Sequence, residues 1–302
     1  MLFTLALIPV IILLIIIYKR DKKEKEPMGL LMGLFFAGMG TVISAIIIEG
    51  IGEVIFNLII PYDSFIKEFL SAMLIIGPAE ELGKYTVLRL ITWKNKNFNY
   101  SYDAIVYSVF VSLGFAALEN IAYVFINGLG IAILRMFTAV PGHAADAVFM
   151  GYFYSKAKYA HVIGKKDEYS KNIALTILVP TILHGFYDAI ILGGTSTENV
   201  LLMGSSILLW GAYVIVLFVL SIILVIRSSK NDFCIVTLPG NIQTVYNPSV
   251  MDMWVCSCGT SNNLNFCSKC GQIRPVGDLW YCPVCGVPSS YNFCGCCGAP
   301  KP

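Results

Sequence analysis

The sequence predicts an all-α, polytopic membrane protein with about seven transmembrane helices, followed by two small cytoplasmic zinc ribbons. Two observations carry this prediction. Hydrophobic residues make up 57% of the 302 residues and charged residues only 13%, whereas about a quarter of the residues in a soluble domain are charged. Nine of the ten cysteines lie between residues 256 and 297, in a repeated pattern. The composition therefore argues against a soluble protein, and the cysteine repeat marks a separate carboxyl-terminal part.

Seven apolar stretches are long enough to cross a bilayer, which takes about 20 residues. We place them at residues 2–18, 28–50, 66–91, 103–127, 131–155, 172–193 and 199–226. The first stretch lacks a basic start and a small-residue cleavage site, so we expect a retained anchor rather than a signal peptide. Apolar residues continue beyond the second stretch to Ile60, and Glu49 and Glu53 predict a short interfacial or re-entrant extension there.

Lysine and arginine alternate between the two sides of the predicted spans. Basic residues follow spans 1, 3, 5 and 7, whereas the loops "PYDS", "NGLG" and "GGTSTEN" after the even-numbered spans contain none. Short basic loops stay in the cytoplasm. We therefore expect an outside amino terminus and a cytoplasmic carboxyl terminus, in a multi-pass protein of a prokaryotic cell membrane.

The carboxyl-terminal part contains two similar cysteine-rich units. We divide the chain into a membrane core (1–227), a polar linker (228–251) and two ribbons (252–273 and 278–302). Each ribbon offers two cysteine pairs separated by eight residues, and four thiolates on two such turns complete a tetrahedral zinc site. The predicted ligands of two structural Zn²⁺ ions are Cys256, Cys258, Cys267, Cys270, Cys282, Cys285, Cys294 and Cys297.

Disulfides are the alternative for these cysteines, but a cytoplasmic location is reducing and disfavours them. Nucleic-acid binding is also disfavoured, because a nucleic-acid-binding module carries a dense basic patch. Between Trp254 and Pro302 the only basic residues are Lys269, Arg274 and Lys301. We therefore expect the ribbons to bind protein.

Ionisable side chains interrupt four of the predicted spans. Such groups are costly in the hydrocarbon region, so they face an interior cavity, pair with one another and mark function. They are Glu80, Glu81 and Lys84 in span 3, Glu119 with Asn120 in span 4, Arg135, His143 and Asp146 in span 5, and His184 and Asp188 in span 6. Asp103 begins span 4, where we expect an interfacial or capping role.

Four of these residues are predicted to lie in one layer of the membrane. At 1.5 Å per residue, Glu80 lies roughly 21 Å from the outer end of its span, Glu119 roughly 12 Å, His143 roughly 18 Å and His184 roughly 14 Å. Unrelated structural ion pairs would not need to agree in depth. We therefore expect these four side chains to meet in one site.

Helical spacing and chemistry refine this expectation. Glu80 and Lys84 are spaced for an ion pair on one helix face, and Arg135 and His143 are expected to share a face two turns apart. A carboxylate with one or two histidines can activate water as a general base, and a histidine can stabilise the oxyanion that forms. No "HExxH" motif occurs. The residues suit hydrolysis without a covalent intermediate.

Four motifs carry a resemblance to a known family. They are "EELGK", "FAALEN", the R-x7-H-x7-G spacing from Arg135 to Gly151, and "HGFYD", in this order on successive spans. On these motifs, the region from about residue 28 to 226 resembles the PrsW family of intramembrane proteases, which is related to the CAAX-processing and bacteriocin-processing membrane proteases. The resemblance does not include the ribbons.

The resemblance implies a role for each matched residue. Glu80 would be the general base that activates water, with Glu81 supporting it. Glu119 stands where the CAAX-processing relatives have a histidine, so Glu119 and His143 are both candidates to hold the water. His184 would belong to the oxyanion site, with Asp188 where relatives often have asparagine. The family's founding member cleaves a membrane-anchored anti-sigma factor, which implies a membrane-anchored regulatory protein as the substrate.

Three other functions remain open on the residues alone. Glu80, Glu119, His143 and His184 can all bind zinc, so a metal-dependent protease is the main alternative, although we expect no metal in the membrane site. Membrane-embedded acids also line the paths of transporters and channels, but transporters usually contain two related halves, which this chain lacks. A scaffold that only presents a substrate to another protease is the third alternative.

Overall fold

The computed structural model of the chain describes residues 2–60 and 64–235 together with four two-residue strands. The helices are α1 (Leu2–Arg20), α2 (Met28–Ile59), α3 (Phe65–Ser71), α4 (Gly77–Thr92), α5 (Asp103–Asn127), α6 (Leu129–Phe137), α7 (Ala139–Val162), α8 (Lys166–Thr195) and α9 (Val200–Lys230). A π-helical turn, Ala72–Ile76, joins α3 to α4.

Four helices of the described ranges, α2, α5, α8 and α9, are long and apolar enough to cross a membrane. Many large apolar side chains on their outer faces are exposed, among them Ile43 on α2 and Leu208 on α9, as expected of surfaces that contact lipid. These helices indicate a membrane protein. The other predicted spans correspond to α1, to α3 with α4 and to α6 with α7, so the total of seven spans stays a prediction.

Helix α5 lies at the centre of the fold. Every residue from Asp103 to Ala117 is buried, and α1, α2, α4, α6 and α7 pack around it. Helix α8 packs against α4, α7 and α9. Because α4, α5, α7 and α8 share these contacts, the polar residues that interrupt them point toward a common interior.

Helices α2 and α5 approach closely because two glycines lie at their crossing. A Cβ atom added at Gly38 would lie 2.0 Å from the carbonyl oxygen of Val111, and one added at Gly114 would lie 2.0 Å from that of Phe35. Small residues allow such backbone contact between helices in membranes. Any larger residue at either glycine would push α2 away from the central helix.

The second predicted span differs from its expected form. Helix α2 runs without interruption to Ile59, so the re-entrant form of the extension predicted around Glu49 and Glu53 is wrong, whereas an interfacial position of the end of this helix stays a prediction. The segment contains no proline, and single glycines such as Gly50 and Gly52 weaken a helix by only about 1 kcal/mol each. Glu49 is consequently part of a continuous helix face.

The fifth predicted span is divided. Helix α6 ends at Phe137 and α7 begins at Ala139, and Thr138 between them has φ −124° and ψ −72°. The expectation that Arg135 and His143 share one helix face is therefore wrong. Pro141 accounts for the position of the break, because it lacks the N–H that would bond to the oxygen of Phe137 and its ring crowds that carbonyl group.

The chain beyond α9 packs against the loop before α5. Tyr100 forms a β-bridge with Cys234, the backbone N–H of Ile235 donates to the oxygen of Asn99 (2.6 Å), and Ile235 is buried. Residues 231–235 therefore belong to the packed structure.

Two short antiparallel strand pairs lie in the cysteine-rich part. Strand β1 (Trp254–Val255) pairs with β2 (Ser261–Asn262), and β3 (Trp280–Tyr281) pairs with β4 (Pro288–Ser289). The eight cysteines predicted to bind zinc lie outside the described residues. The zinc ribbons therefore stay a prediction.

Candidate active site

The segment before the two adjacent glutamates has an unusual local structure. The π-helical turn ends at Ile76, directly before Gly77 and Pro78, and π turns within helices occur often at functional sites. A Cβ atom at Gly77 would lie 2.9 Å from the backbone nitrogen of Gly185. This close contact between α4 and α8 brings the glutamates of α4 next to His184.

Lys84 occupies the centre of the cluster. Its Nζ donates to Glu80 Oε2 (3.1 Å) and Glu81 Oε1 (2.7 Å), lies 3.2 Å from His143 Nδ1, and sits 4.2 Å from the centre of the Phe115 ring. The side chain is fully buried. The ammonium therefore supplies the positive charge that two buried carboxylates need.

His184 lies between three carboxylates. Its Nδ1 is 2.8 Å from Glu81 Oε1, and its Nε2 is 3.3 Å from Asp188 Oδ2 and 3.6 Å from Glu80 Oε2. Because both ring nitrogens face carboxylate oxygens, a protonated ring would have an acceptor on each side. The Glu80 carboxylate is the more distant partner and is less constrained by the histidine.

His143 is held in one tautomer by its neighbours. The Lys84 ammonium has only hydrogens to offer, so Nδ1 of His143 accepts, and its Nε2–H donates to Glu119 Oε2 (2.8 Å). The same oxygen of Glu119 pairs with Arg135 (2.8 Å), and Arg135 Nε donates to Asn120 (3.0 Å). Glu119 Oε2 thus contacts two partners, and the break between α6 and α7 lets Arg135 reach it.

These side chains surround a cavity of about 290 Å³. Six helices contribute to its wall, α2, α4, α5, α6, α7 and α8, together with Ile76 of the π turn. Glu80 lines the cavity, whereas Glu81 and Lys84 do not. Of the two adjacent glutamates, Glu80 is therefore the one in contact with the space where a substrate can lie.

The structure brings all six sequence-predicted site residues into one cluster. Five of them line the cavity, namely Glu80, Glu119, His143, His184 and Asp188. The sixth, Glu81, contacts His184 without lining the cavity. Their sequence motifs lie up to 108 residues apart (80 to 188), so the prediction of similar depth agrees with the fold.

Two residues, Lys84 and Glu49, make contacts in the site that the sequence did not predict. Lys84 was expected to pair with Glu80 and to reach Glu81 on its own helix, yet it also contacts His143 on α7. Glu49 was assigned to the membrane interface, yet it lines the cavity, and its Oε1 is buried without a partner. Val42, Ala45 and Ile46 line the same cavity, and with Glu49 they follow helical i, i+3, i+4, i+7 spacing, a signal the sequence contained.

The same cluster can be tested as a metal site. Four side chains each offer one possible ligand atom, and these atoms lie within 4.8 Å of one another: Glu80, Glu81, His143 and His184. Carboxylates and imidazoles are common ligands of catalytic zinc, so the residues fit a metal ion in type and spacing. The Lys84 ammonium contacts three of the four side chains, so a divalent ion would share them with a fixed positive charge.

Comparison with known proteins identifies related chains. The sequence model of a family described as "PrsW family intramembrane metalloprotease" matches residues 26–226. The chain is 37% identical over 202 residues to "Protease PrsW" of Oceanobacillus iheyensis, covering 67% of this chain and 87% of the relative. It is 32% identical over 213 residues to "Protease PrsW" of Clostridioides difficile, covering 69% and 87%, and 34% identical over 183 residues to that of Bacillus subtilis, covering 61% and 79%.

No solved structure matches the chain.

Proposed function

The chain belongs to the PrsW family and is an intramembrane protease, and on this basis we propose that it cleaves a membrane-anchored protein with water activated by Glu80. One observation carries the proposal. Glu80 lines the cavity and pairs with Lys84 at 3.1 Å, whereas Glu81 lies behind it and holds Lys84 at 2.7 Å and His184 at 2.8 Å. Glu80 is the glutamate of the pair that can reach a water beside a substrate.

Each neighbour of Glu80 has a proposed task. Glu81 and Lys84 keep the Glu80 carboxylate in place and balance its charge. His184, with Nε2 toward Glu80 and Asp188, donates to the oxyanion that water attack creates on a peptide carbonyl. A donor aimed at developing negative charge typically accelerates such a step by about 10²–10³-fold. Asp188 orients the His184 ring.

The geometry also favours one of the two candidates to hold the water. Both ring nitrogens of His143 are engaged, Nδ1 by Lys84 and Nε2 by Glu119, whereas the contacts of Glu119 with His143 and Arg135 both use Oε2. The other oxygen of Glu119, Oε1, can therefore accept from a water molecule, and Glu119 also lines the cavity. We assign Glu119 to holding the water, and Arg135 and His143 to positioning the Glu119 carboxylate.

Metal-dependent proteolysis is the second candidate, favoured by the four ligand atoms within 4.8 Å and by the family description. Glu80, Glu81, His143 and His184 would hold the ion. A divalent metal supplies Lewis-acid polarisation of a carbonyl and lowers the pKa of water. We rank it second because Lys84 already provides a positive charge to three of these side chains.

The proposed setting is a multi-pass protein with seven spans, an outside amino terminus and a cytoplasmic carboxyl terminus. The alternation of basic loops supports this orientation. The substrate class is a membrane-anchored regulatory protein, such as an anti-sigma-type factor. A reporter that is active only in the cytoplasm should work after Ile235 and fail within "GGTSTEN", and the reverse pattern would refute the orientation.

The carboxyl-terminal part is proposed to form two zinc ribbons that bind protein. The strand pairs β1–β2 and β3–β4 occupy equivalent places in the two cysteine-rich units, as expected of a repeat. Four thiolates per ribbon predict two zinc ions per chain. Metal analysis of the purified chain that found no zinc would end this proposal.

Reconstitution with candidate single-span substrates tests the catalytic proposal. Glu80→Gln keeps the shape of the side chain but removes the basic oxygen, so cleavage should fall by about 10²–10⁴-fold while substrate binding survives. Glu53→Gln, an exposed position on α2, is the matched control and should cleave like the unmodified chain. Unchanged cleavage by Glu80→Gln would remove Glu80 from the mechanism.

A further inference from the structure

A second cluster of buried carboxylates lies apart from the active site. Asp21 and Glu26 belong to the loop between α1 and α2, and Asp103 begins α5. Their exposures are 1%, 2% and 1% respectively. Each offers one oxygen, and these oxygens lie within 4.8 Å of one another. We call these three residues the junction cluster, because the segment after α9 also packs here: Asp232 accepts from the backbone N–H of Tyr102 (2.8 Å).

Several oxygens of this region are buried without a donor. Both carboxylate oxygens of Asp21 have no hydrogen-bond partner, and neither do Asp103 Oδ1 and Asn99 Oδ1. The other oxygen of Asp103 accepts from the backbone N–H groups of Asn99 (3.0 Å) and Tyr100 (2.6 Å). A buried polar atom without a partner costs about 1–3 kcal/mol, and more when it is charged. Four such oxygens in one region indicate a cation as their partner.

In the described part of the chain, no lysine or arginine side chain pairs with these carboxylates. No ion pair in residues 2–60 and 64–235 includes a member of the junction cluster. Lys25 lies nearby, but its ammonium donates to the backbone oxygens of Tyr18 and Asp21.

We propose that Asp21, Glu26 and Asp103 bind one divalent cation of the oxygen-preferring class, Mg²⁺ or Ca²⁺. Both ions take carboxylate oxygens, whereas softer ions favour nitrogen and sulfur. The bound ion joins the loop between α1 and α2 to the start of α5. It thereby also stabilises the loop on which residues 232–235 pack.

The competing explanation is that the carboxyls are protonated and share hydrogen bonds. Glu26 already accepts from the Tyr107 hydroxyl, and one proton on each of the three carboxyl groups would give a neutral network. The two explanations differ in their response to cations and to the removal of a carboxylate. Cation binding is lost when Asp21 loses its charge, whereas a protonated network does not respond to Mg²⁺ or Ca²⁺.

Titration of the full chain in detergent tests the proposal. After dialysis against buffer without divalent cations, CaCl₂ and MgCl₂ are added separately and followed by calorimetry and thermal unfolding. At least one of the two ions should bind one saturable site per chain and raise the unfolding temperature. Asp21→Asn should weaken this binding by at least about 10-fold, while Asp167→Asn, at an exposed acid of α8, should bind like the unmodified chain.

The proposal is overturned if neither ion binds below about 10 mM, a limit beyond the weakest ordinary calcium sites, or if Asp21→Asn binds as tightly as the unmodified chain. If Asp21→Asn does not fold, Glu26→Gln replaces it, and Tb³⁺ provides a measurement on the unmodified chain. Tyr107 contacts Glu26 and should sensitise Tb³⁺ emission that Ca²⁺ or Mg²⁺ displaces. Emission that is absent, or that neither ion displaces, also refutes the site.

Discussion

The candidate active site and the junction cluster both bury carboxylates, but they balance negative charge by different means. In the active site, Lys84 contacts two glutamates and Arg135 contacts a third. In the junction cluster, three carboxylates approach one another without a lysine or arginine side chain paired to any of them in the described part of the chain. In the first region the positive charges are the side chains of Lys84 and Arg135. We propose that the second region binds a cation from solution.

This difference explains how each region responds to change. Where the cation is a side chain, the carboxylates are fixed permanently, which suits a catalytic base whose position matters at the scale of tenths of an ångström. Where the cation comes from solution, the stability of the region depends on its concentration. Removing a charged group from each region in turn tests whether the two regions balance their negative charge by different means.

The largest effect is expected from Lys84→Met. The variant leaves Glu80 and Glu81 buried without their ammonium, and breaking a buried ion pair on one side typically costs about 3–5 kcal/mol. Thermal unfolding in detergent should show a large loss of stability and cleavage should be abolished. Lys84→Arg, which keeps the charge, should recover much of the stability. Equal losses in both variants would show that packing rather than charge is the contribution of Lys84.

A smaller effect of opposite sign is expected from Asp21→Asn without divalent cations. Removing one of three mutually repelling carboxylates should stabilise the folded chain by roughly 1–2 kcal/mol, given that one pKa unit corresponds to about 1.4 kcal/mol. The same acid-to-amide change at Glu81 should destabilise, because it leaves Lys84 and His184 without their shared partner. If both substitutions shift the unfolding temperature in the same direction, the distinction between the two regions fails.

A third effect is a dependence of stability on pH. The pKa of Asp21 is raised from 3.8 to about 6 and that of Glu26 from 4.5 to about 7, chiefly by burial. At a pH between the unfolded and the folded pKa of each group, the folded chain holds a proton that the unfolded chain has released. The stability that these protons contribute is therefore lost as the pH rises from about 4 to 7. Unfolding temperatures measured across that range without divalent cations should fall less steeply in Asp21→Asn than in the unmodified chain. An equal slope would contradict the prediction.

Sequence patterns predicted the active site better than the junction cluster because the active-site residues interrupt apolar spans. An ionisable residue among isoleucines and leucines stands out, so Glu80, Glu81, Glu119, His143 and His184 were predicted from their cost in a membrane. Asp103 lies at a helix start, where a capping role is ordinary, and it does accept two backbone N–H groups. The approach of the Asp103 carboxylate to those of Asp21 and Glu26 depends on how distant loops pack. Patterns of neighbouring residues in the sequence do not contain this information.

Some features of the candidate active site were also not predicted from the sequence, because they too depend on how the helices pack. The central position of Lys84 arises because α4 and α7 both pack on α5 and α8, which brings Lys84 to His143, 59 residues away. Glu49 was misassigned because the apolar run to Ile60 was divided into a span and an extension, although its cavity-facing stripe has helical spacing. The break at Thr138 follows from Pro141, whereas Pro180 lies inside the unbroken helix α8, so a proline alone does not determine where a membrane helix ends.

We propose that this protease activates water with Glu80 and needs no metal in its membrane site, and the effect of chelation on a core without the predicted ribbons tests this mechanism. A chain that ends after Ile235 keeps the packed core and removes the predicted ribbons. Its cleavage of a single-span substrate is followed during prolonged treatment with a zinc-selective chelator in excess Mg²⁺, which keeps the proposed junction cation supplied. We predict that cleavage continues and that the core contains no stoichiometric transition metal. Loss of cleavage on chelation, with recovery on adding zinc, would contradict the account and establish the metal-dependent mechanism instead.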